Sequence, residues 1–232
     1  MRFKIEFSKN TTPVPIVNQS LLNSYIHKCL GKDNKWHDSE AIYSISSIQG
    51  GTLNEDKKTL DFKNGAYIIV TSIDLDFLNE LSSGVLKNQD FIYGMKWAGT
   101  TPIKETFFNG WNHFATLSPF LIKVYDENKK YKFLTLDEEN FQEKVKDYLI
   151  HKIKKFKDVD LTDFDVLIPK HDSHKVKKIM VKNVINKANQ CQISINCSKE
   201  IAEFLYSIGI GNSPGSGFGT IYKTENRSLY KI

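Results

Sequence analysis

Apolar and polar residues alternate at the start of this chain and then change period, and each change marks an element. Phe3, Ile5 and Phe7 alternate with charged residues, the pattern of a half-buried strand. The run TTPVP at residues 11–15 breaks it. Over residues 18–30 the apolar side chains are Leu21, Leu22, Tyr25, Ile26, Cys29 and Leu30. At helical spacing they share one arc of about 180°, which predicts an amphipathic helix. Gly31 ends it. After a polar loop come strands over 41–48, 59–62 and 66–73, the last two joined by the turn Lys63-Asn64-Gly65. A short helix over 74–81, ending near Gly84, and a strand over 90–97 complete the first half.

The predicted order is β-α-β-β-α-β with one extra hairpin, the ferredoxin-like arrangement. The second half repeats it. Residues 120–125 and 131–134 read as strands around a turn at Asn128, and 138–156 reads as a helix with Phe141, Val145, Tyr148, Leu149 and Ile153 on one side. Strands follow over 165–169, 177–185 and 190–196. Ser198 then caps a helix through Ile208, and a strand over 218–223 closes the unit. The fold class expected is α+β, two tandem ferredoxin-like (βαββαβ, RRM-like) domains, 1–115 and 116–232.

Composition narrows the class. With 232 residues, 40% hydrophobic and 12% aromatic, the chain has enough apolar material for one or two folded cores. Disordered, collagen-like and disulfide-scaffold chains are excluded. No apolar stretch approaches the ~18 residues of a membrane span. The strand-like start MRFKIEF implies no signal peptide. Cys29, Cys191 and Cys197 form no CxxC pair and are odd in number, as reduced thiols of a cytoplasmic protein would be. The net charge of +5 lies wholly in one half: residues 1–115 hold 12 cations and 12 anions, residues 116–232 hold 20 and 15. Between residues 144 and 187 there are 12 lysines against 6 acids. Lys152, Lys154, Lys155 and Lys157 end a helix, where they complement its dipole. Lys175, Lys177, Lys178 and Lys182 enter the next strand, and their local excess points to a polyanion such as an RNA backbone.

Five of the 13 glycines (Gly209, Gly211, Gly215, Gly217 and Gly219) fall in the 11 residues GIGNSPGSGFG. A dinucleotide-binding loop must follow a strand and open a helix, whereas this one follows a helix and precedes a strand. No Gly-Lys-Ser/Thr of a Walker loop occurs. Such glycines let a backbone approach phosphates and offer N–H groups to them, or they serve a wide turn that needs positive φ.

The loop GIGNSPGSGFGTIYK before the last strand resembles the signature of the repeat-associated RNA-binding (RAMP) superfamily. Within that superfamily it resembles the CRISPR-associated (Cas) endoribonuclease numbered six, which cuts precursor crRNA inside each repeat. The start MRFKIEF and the segment Phe114-Ala-Thr-Leu-Ser-Pro119 are similar to that family's first strand and to the opening of its second domain. The resemblance implies metal-independent cleavage by 2′-hydroxyl attack, leaving a 2′,3′-cyclic phosphate and a 5′-hydroxyl, with no cofactor. The implied partners are CRISPR repeat RNA and other Cas proteins of an interference complex, with no membrane, for a monomer or homodimer.

Histidine suits both proton transfers because its pKa lies near neutrality. Measured from Leu21, Tyr25 falls at about 40° and His27 at about 240° on the first helix, so Tyr25 packs and His27 looks outward. His37 sits in the loop after it, in Lys35-Trp36-His37-Asp38. His27 read from its position alone is a surface histidine or a functional one. The family's acid or base lies in this loop, which makes His37 the first catalytic expectation and His27 the second. The family often adds a lysine shortly after the loop histidine; residues 38–43 hold none, and Lys35 or Lys28 would have to substitute. Lys35, Lys154, Lys155, Lys175, Lys177, Lys178 and the five loop glycines are the RNA-binding expectations. His113 reads as structural. His171 and His174 lack further ligands at metal spacing, and no metal site is expected. Two alternatives remain: a non-catalytic RNA-binding subunit of the same superfamily, and a ferredoxin-like domain for ligand binding or assembly.

Overall fold

The computed structural model describes residues 1–31, 33–36, 42–55, 58–104, 106–125, 127–181 and 183–224. The first unit runs β1 (Arg2–Phe7), β2 (Val14–Pro15), α1 (Gln19–Leu30), β3 (Tyr43–Ile45), β4 (Thr52–Leu53), β5 (Thr59–Asp61), β6 (Ala66–Ser72), α2 (Leu75–Lys87) and β7 (Trp97–Pro102). Strands β3, β6, β1 and β7 lie side by side in that order, all antiparallel. Counting these four along the chain, the order is 2-3-1-4, the ferredoxin-like arrangement. Period-two alternation turns Ile5 and Phe7 toward the helices, where they join Leu22, Ile26, Phe77 and Leu81 in one core. The helices come close enough that a Cβ on Gly84 would stand 1.8 Å from the Cys29 carbonyl oxygen. Asp74 caps α2 by accepting from the N–H groups of Asp76 and Phe77.

The second unit runs β8 (Trp111–Thr116), β9 (Lys123–Tyr125), β10 (Tyr131–Phe133), α3 (Phe141–Phe156), β11 (Asp165–Leu167), β12 (Lys175–Val181), β13 (Val184–Gln190), β14 (Gln192–Asn196), α4 (Lys199–Ile208) and β15 (Ile221–Lys223). Its sheet order, β11-β14-β8-β15, repeats 2-3-1-4. Two hairpins, β9–β10 and β12–β13, stand outside that sheet. Phe114, Val145, Leu149, Ile193, Ile195, Leu205 and Ile208 form its core.

The α+β class and the tandem ferredoxin-like order are as expected, and three strand positions and one helix end are not. The first strand of the second sheet is β8, not 120–125. Its sequence WNHFAT gives one core phenylalanine, and the buried neighbour Asn112 is satisfied locally, donating to the Gly110 carbonyl and accepting from the Asn109 N–H. The strand expected at 90–97 is a turn, with Tyr93 at φ 52°, and the strand proper follows as β7. As an edge strand paired only to β1, β7 needs little apolar alternation. Residues 177–185 are two strands folded back at Asn183, φ 64°. Helix α2 continues to Lys87. The division expected between residues 115 and 116 falls inside β8; we propose that the first unit ends with β7 and the second begins with β8.

The units are bound through polar contacts. Arg2 is buried and donates from one guanidinium nitrogen to the carbonyls of Tyr206, at 3.0 Å, and Ile221, at 2.7 Å. Its Cζ lies 3.6 Å from the centroid of the Tyr206 ring. Burial pushes its pKa down to about 10, against the opposing pull of Tyr206. The hydroxyls of Ser44 and Thr220 are 2.5 Å apart, and the Ser47 N–H donates to the Ser118 hydroxyl.

Candidate functional site

Three stretches far apart in sequence meet along α1. The helix packs beside the turn Pro214–Ser216 of the glycine loop and beside β12. The helix that carries His27, the strand that carries Lys175, Lys177 and Lys178, and the glycine loop are thus neighbours in the fold. No helix among the described residues is long and apolar enough to cross a membrane.

The glycine loop is built into the protein more than sequence implies. Gly209, Gly211, Gly217 and Gly219 are buried, and Gly215 is half-buried. A Cβ on Gly217, φ 84°, would stand 1.7 Å from Gln19 Nε2 of α1. Gly215 lies over the Tyr43 ring of β3. Lys152 reaches from α3 and donates to the carbonyls of Gly209, at 2.9 Å, and Gly211, at 3.1 Å. That lysine is buried, so it belongs to the shape of the loop and not to a solvated helix end. Ser213 is the exposed residue of the loop's turn.

On α1, Tyr25 packs as expected. Its ring sits edge-on to Phe7 and Phe91, its hydroxyl donates to the Asn88 carbonyl, and burial, then Cys29, pushes its pKa up. His27 is half-buried with Nδ1 inside, less outward than the helical wheel implies. Gln19 Nε2 and Asn23 Oδ1, on the same helix, are buried and have no hydrogen-bond partner among the described residues. Buried polar atoms without partners are costly, which makes Gln19 and Asn23 candidates for a ligand contact that no motif signals.

His37 lies outside the described residues. Its predecessor Trp36 is buried against Phe77, and its indole N–H donates to Asp74 Oδ2 at 3.0 Å. This anchor fixes where the loop departs. Lys35 is exposed, 3.4 Å from Asp76 Oδ2 and over the Trp36 ring. Lys175, Lys177 and Lys178 are exposed on β12, and Lys154 and Lys155 are exposed at the end of α3, an element not packed on α1.

Of the remaining histidines, His151 is exposed on α3, and the other three make local contacts. His113 Nδ1 shares a 2.7 Å hydrogen bond with the Ser194 hydroxyl across β8 and β14. His174 Nε2 accepts from the Gln192 N–H at 3.0 Å, while His171 Nδ1 pairs with Ser173. Burial, and secondarily His171, push the His174 pKa down. No metal-binding cluster of His, Cys, Asp and Glu occurs among the described residues. A separate groove of about 920 Å³ lies between the units, lined by Arg2, Ile73, Phe107, Phe108, Phe204 and Tyr206. None of the site residues expected from sequence lines it.

Residues 102–222, more than half of the chain, match the family described as CRISPR associated protein Cas6, C-terminal. The tandem ferredoxin-like units and this match define the class, and this chain belongs to the CRISPR-associated protein Cas6 family. Among solved structures it is similar to one described as a Cas6-related gene product from Pyrococcus furiosus, at 21% identity and TM-score 0.82, covering 97% of this chain and 99% of that one. A RAMP protein described as binding different RNA substrates aligns at 21% identity and TM-score 0.84, over 97% and 100% of the two chains. A third, described as CRISPR associated protein Cas6, aligns at 19% and 0.78, over 97% and 99%. At such identities these likenesses speak for the fold. A comparison with curated proteins finds no match.

Proposed function

We propose that this chain is an endoribonuclease that cuts precursor crRNA within CRISPR repeats without a metal ion. The observation that carries the reading is membership of the Cas6 family together with the packing of the glycine loop and β12 against α1, the helix that bears His27. The described relative that binds different RNA substrates supports RNA as the ligand. In the reaction, a base takes the proton of a 2′-hydroxyl, and that oxygen bonds to the adjacent phosphorus. The bond from phosphorus to the 5′-oxygen breaks, and an acid protonates the leaving oxygen. The products are a 2′,3′-cyclic phosphate and a 5′-hydroxyl. His37 and His27 are the proposed acid–base pair. The lysines of β12 hold the backbone as point charges, so affinity falls with salt.

Cleavage of the cognate repeat is expected to persist in excess EDTA, and His37→Ala or His27→Ala to slow it by roughly 10²-fold or more. An unchanged rate after a single 2′-deoxy substitution at the cut would sink the mechanism. One observation favours a second reading, a non-catalytic RNA-binding subunit: residues 38–43 carry no lysine to stabilise the transition state. Tight, salt-sensitive binding with no cleavage in single-turnover assays would establish that reading instead.

A further inference from the structure

The β9–β10 hairpin carries two tyrosines that the core does not use. Tyr125 is 61% exposed and Tyr131 42%. They stand directly opposite each other across the hairpin, ring centroids 5.8 Å apart and planes tilted by 59°. Rings at that angle do not cover each other, and Phe133 meets Tyr131 edge-on with centroids 5.4 Å apart. With Val124, Lys130 and Lys132 they line a hollow of about 190 Å³, room for one heterocyclic base. Lys123 Nζ lies 4.5 Å from the Tyr131 centroid, so a cation already attends the aromatic pair. Between residues 123 and 132 the sequence holds four lysines against Asp126 and Glu127, and one of the four, Lys132, pairs with Glu138 at 2.9 Å.

The hairpin also continues the region around α1. β10 runs beside β13. Phe133 packs on the small cluster of Leu121, Ala188 and Phe218, which also takes Ile179 and Val181 of β12. β12 in turn borders α1. A strand of RNA held along α1 and β12 would run on toward the tyrosines. Aromatic faces beside a positively charged track are the means by which unpaired bases are gripped regardless of sequence.

From this we infer that Tyr125 and Tyr131 form a stacking site for an unpaired base of bound RNA, with Lys123 and Lys130 meeting the adjoining phosphates. The inference rests on the reading of the chain as an RNA-binding protein. It is tested with repeat RNA made non-cleavable by a 2′-deoxy group at the cut, measuring affinity and ultraviolet crosslinking. The double variant Tyr125→Ala/Tyr131→Ala is expected to bind about tenfold more weakly and to lose a crosslink that maps to the β9–β10 hairpin. The double Tyr→Phe variant, which keeps the rings, is expected to restore affinity. Because both side chains are exposed, an unchanged thermal midpoint shows that the alanine variant is folded. If wild type binds the RNA and the alanine variant binds it equally well, the stacking site is overturned while the RNA reading stands. Absence of RNA binding by wild type overturns both.

Discussion

His174 shows how one side chain ties an inserted hairpin to its sheet. Its neutral Nε2 accepts the Gln192 N–H where β13 passes into β14, and protonation would remove that acceptor. Burial and the neighbouring His171 lower its pKa in the folded protein, whereas in the unfolded chain it titrates near the ordinary value of about 6.5. Below that value the unfolded state binds more protons, so this contribution to stability is present above it and is lost as pH falls through the folded pKa. Asp74 and Glu138 also have lowered pKa values, but as carboxylates they act in a more acidic window. Urea midpoints are therefore expected to fall between pH 7 and pH 5, and His174→Gln, which cannot take up the proton, to flatten that dependence. An equal decline in wild type and variant would assign the effect elsewhere.

At the scale of elements, the contact that matters for the site is the crossing of α1 and α2. Gly84→Ala places a methyl group 1.8 Å from the Cys29 carbonyl, a backbone atom that cannot turn aside. The helices must separate, at a cost of about 3 kcal/mol, read as a lower denaturant midpoint with unchanged slope. Because His27 rides on α1, activity should fall with it. The helices were legible in the sequence because their apolar residues recur at 3.6-residue spacing; α1, α3 and α4 all lie where that spacing puts them. β7 and β8 were not, since WAGTTP and WNHFAT take their stability from partners across the sheet and not from their own alternation. The lysines of β12 and the density of glycine could be read directly. What the glycines pack against could not, because Gln19 lies 198 residues from Gly217 and Tyr43 lies 172 from Gly215, and nothing local announces the meeting.

For the whole molecule, the polar seam between the units sets how the two act as one. Arg2→Ala leaves the Tyr206 and Ile221 carbonyls without their donor and uncovers the Tyr206 ring. A loss of roughly 3 kcal/mol is expected in chemical denaturation. A broadened or two-step transition would show that the units had become independent, and an unchanged midpoint would show that the seam is held elsewhere, for example by Ser44 and Thr220. The same seam has a consequence during synthesis. Arg2 is synthesised 219 residues ahead of the Ile221 carbonyl it needs. At ordinary translation speeds the first sheet, complete at Pro102, then waits roughly 6–24 s with its inner cation uncovered. Over that interval the nascent chain exposes a half-finished surface, so slowing translation of the last part of the message is expected to lower the folded yield.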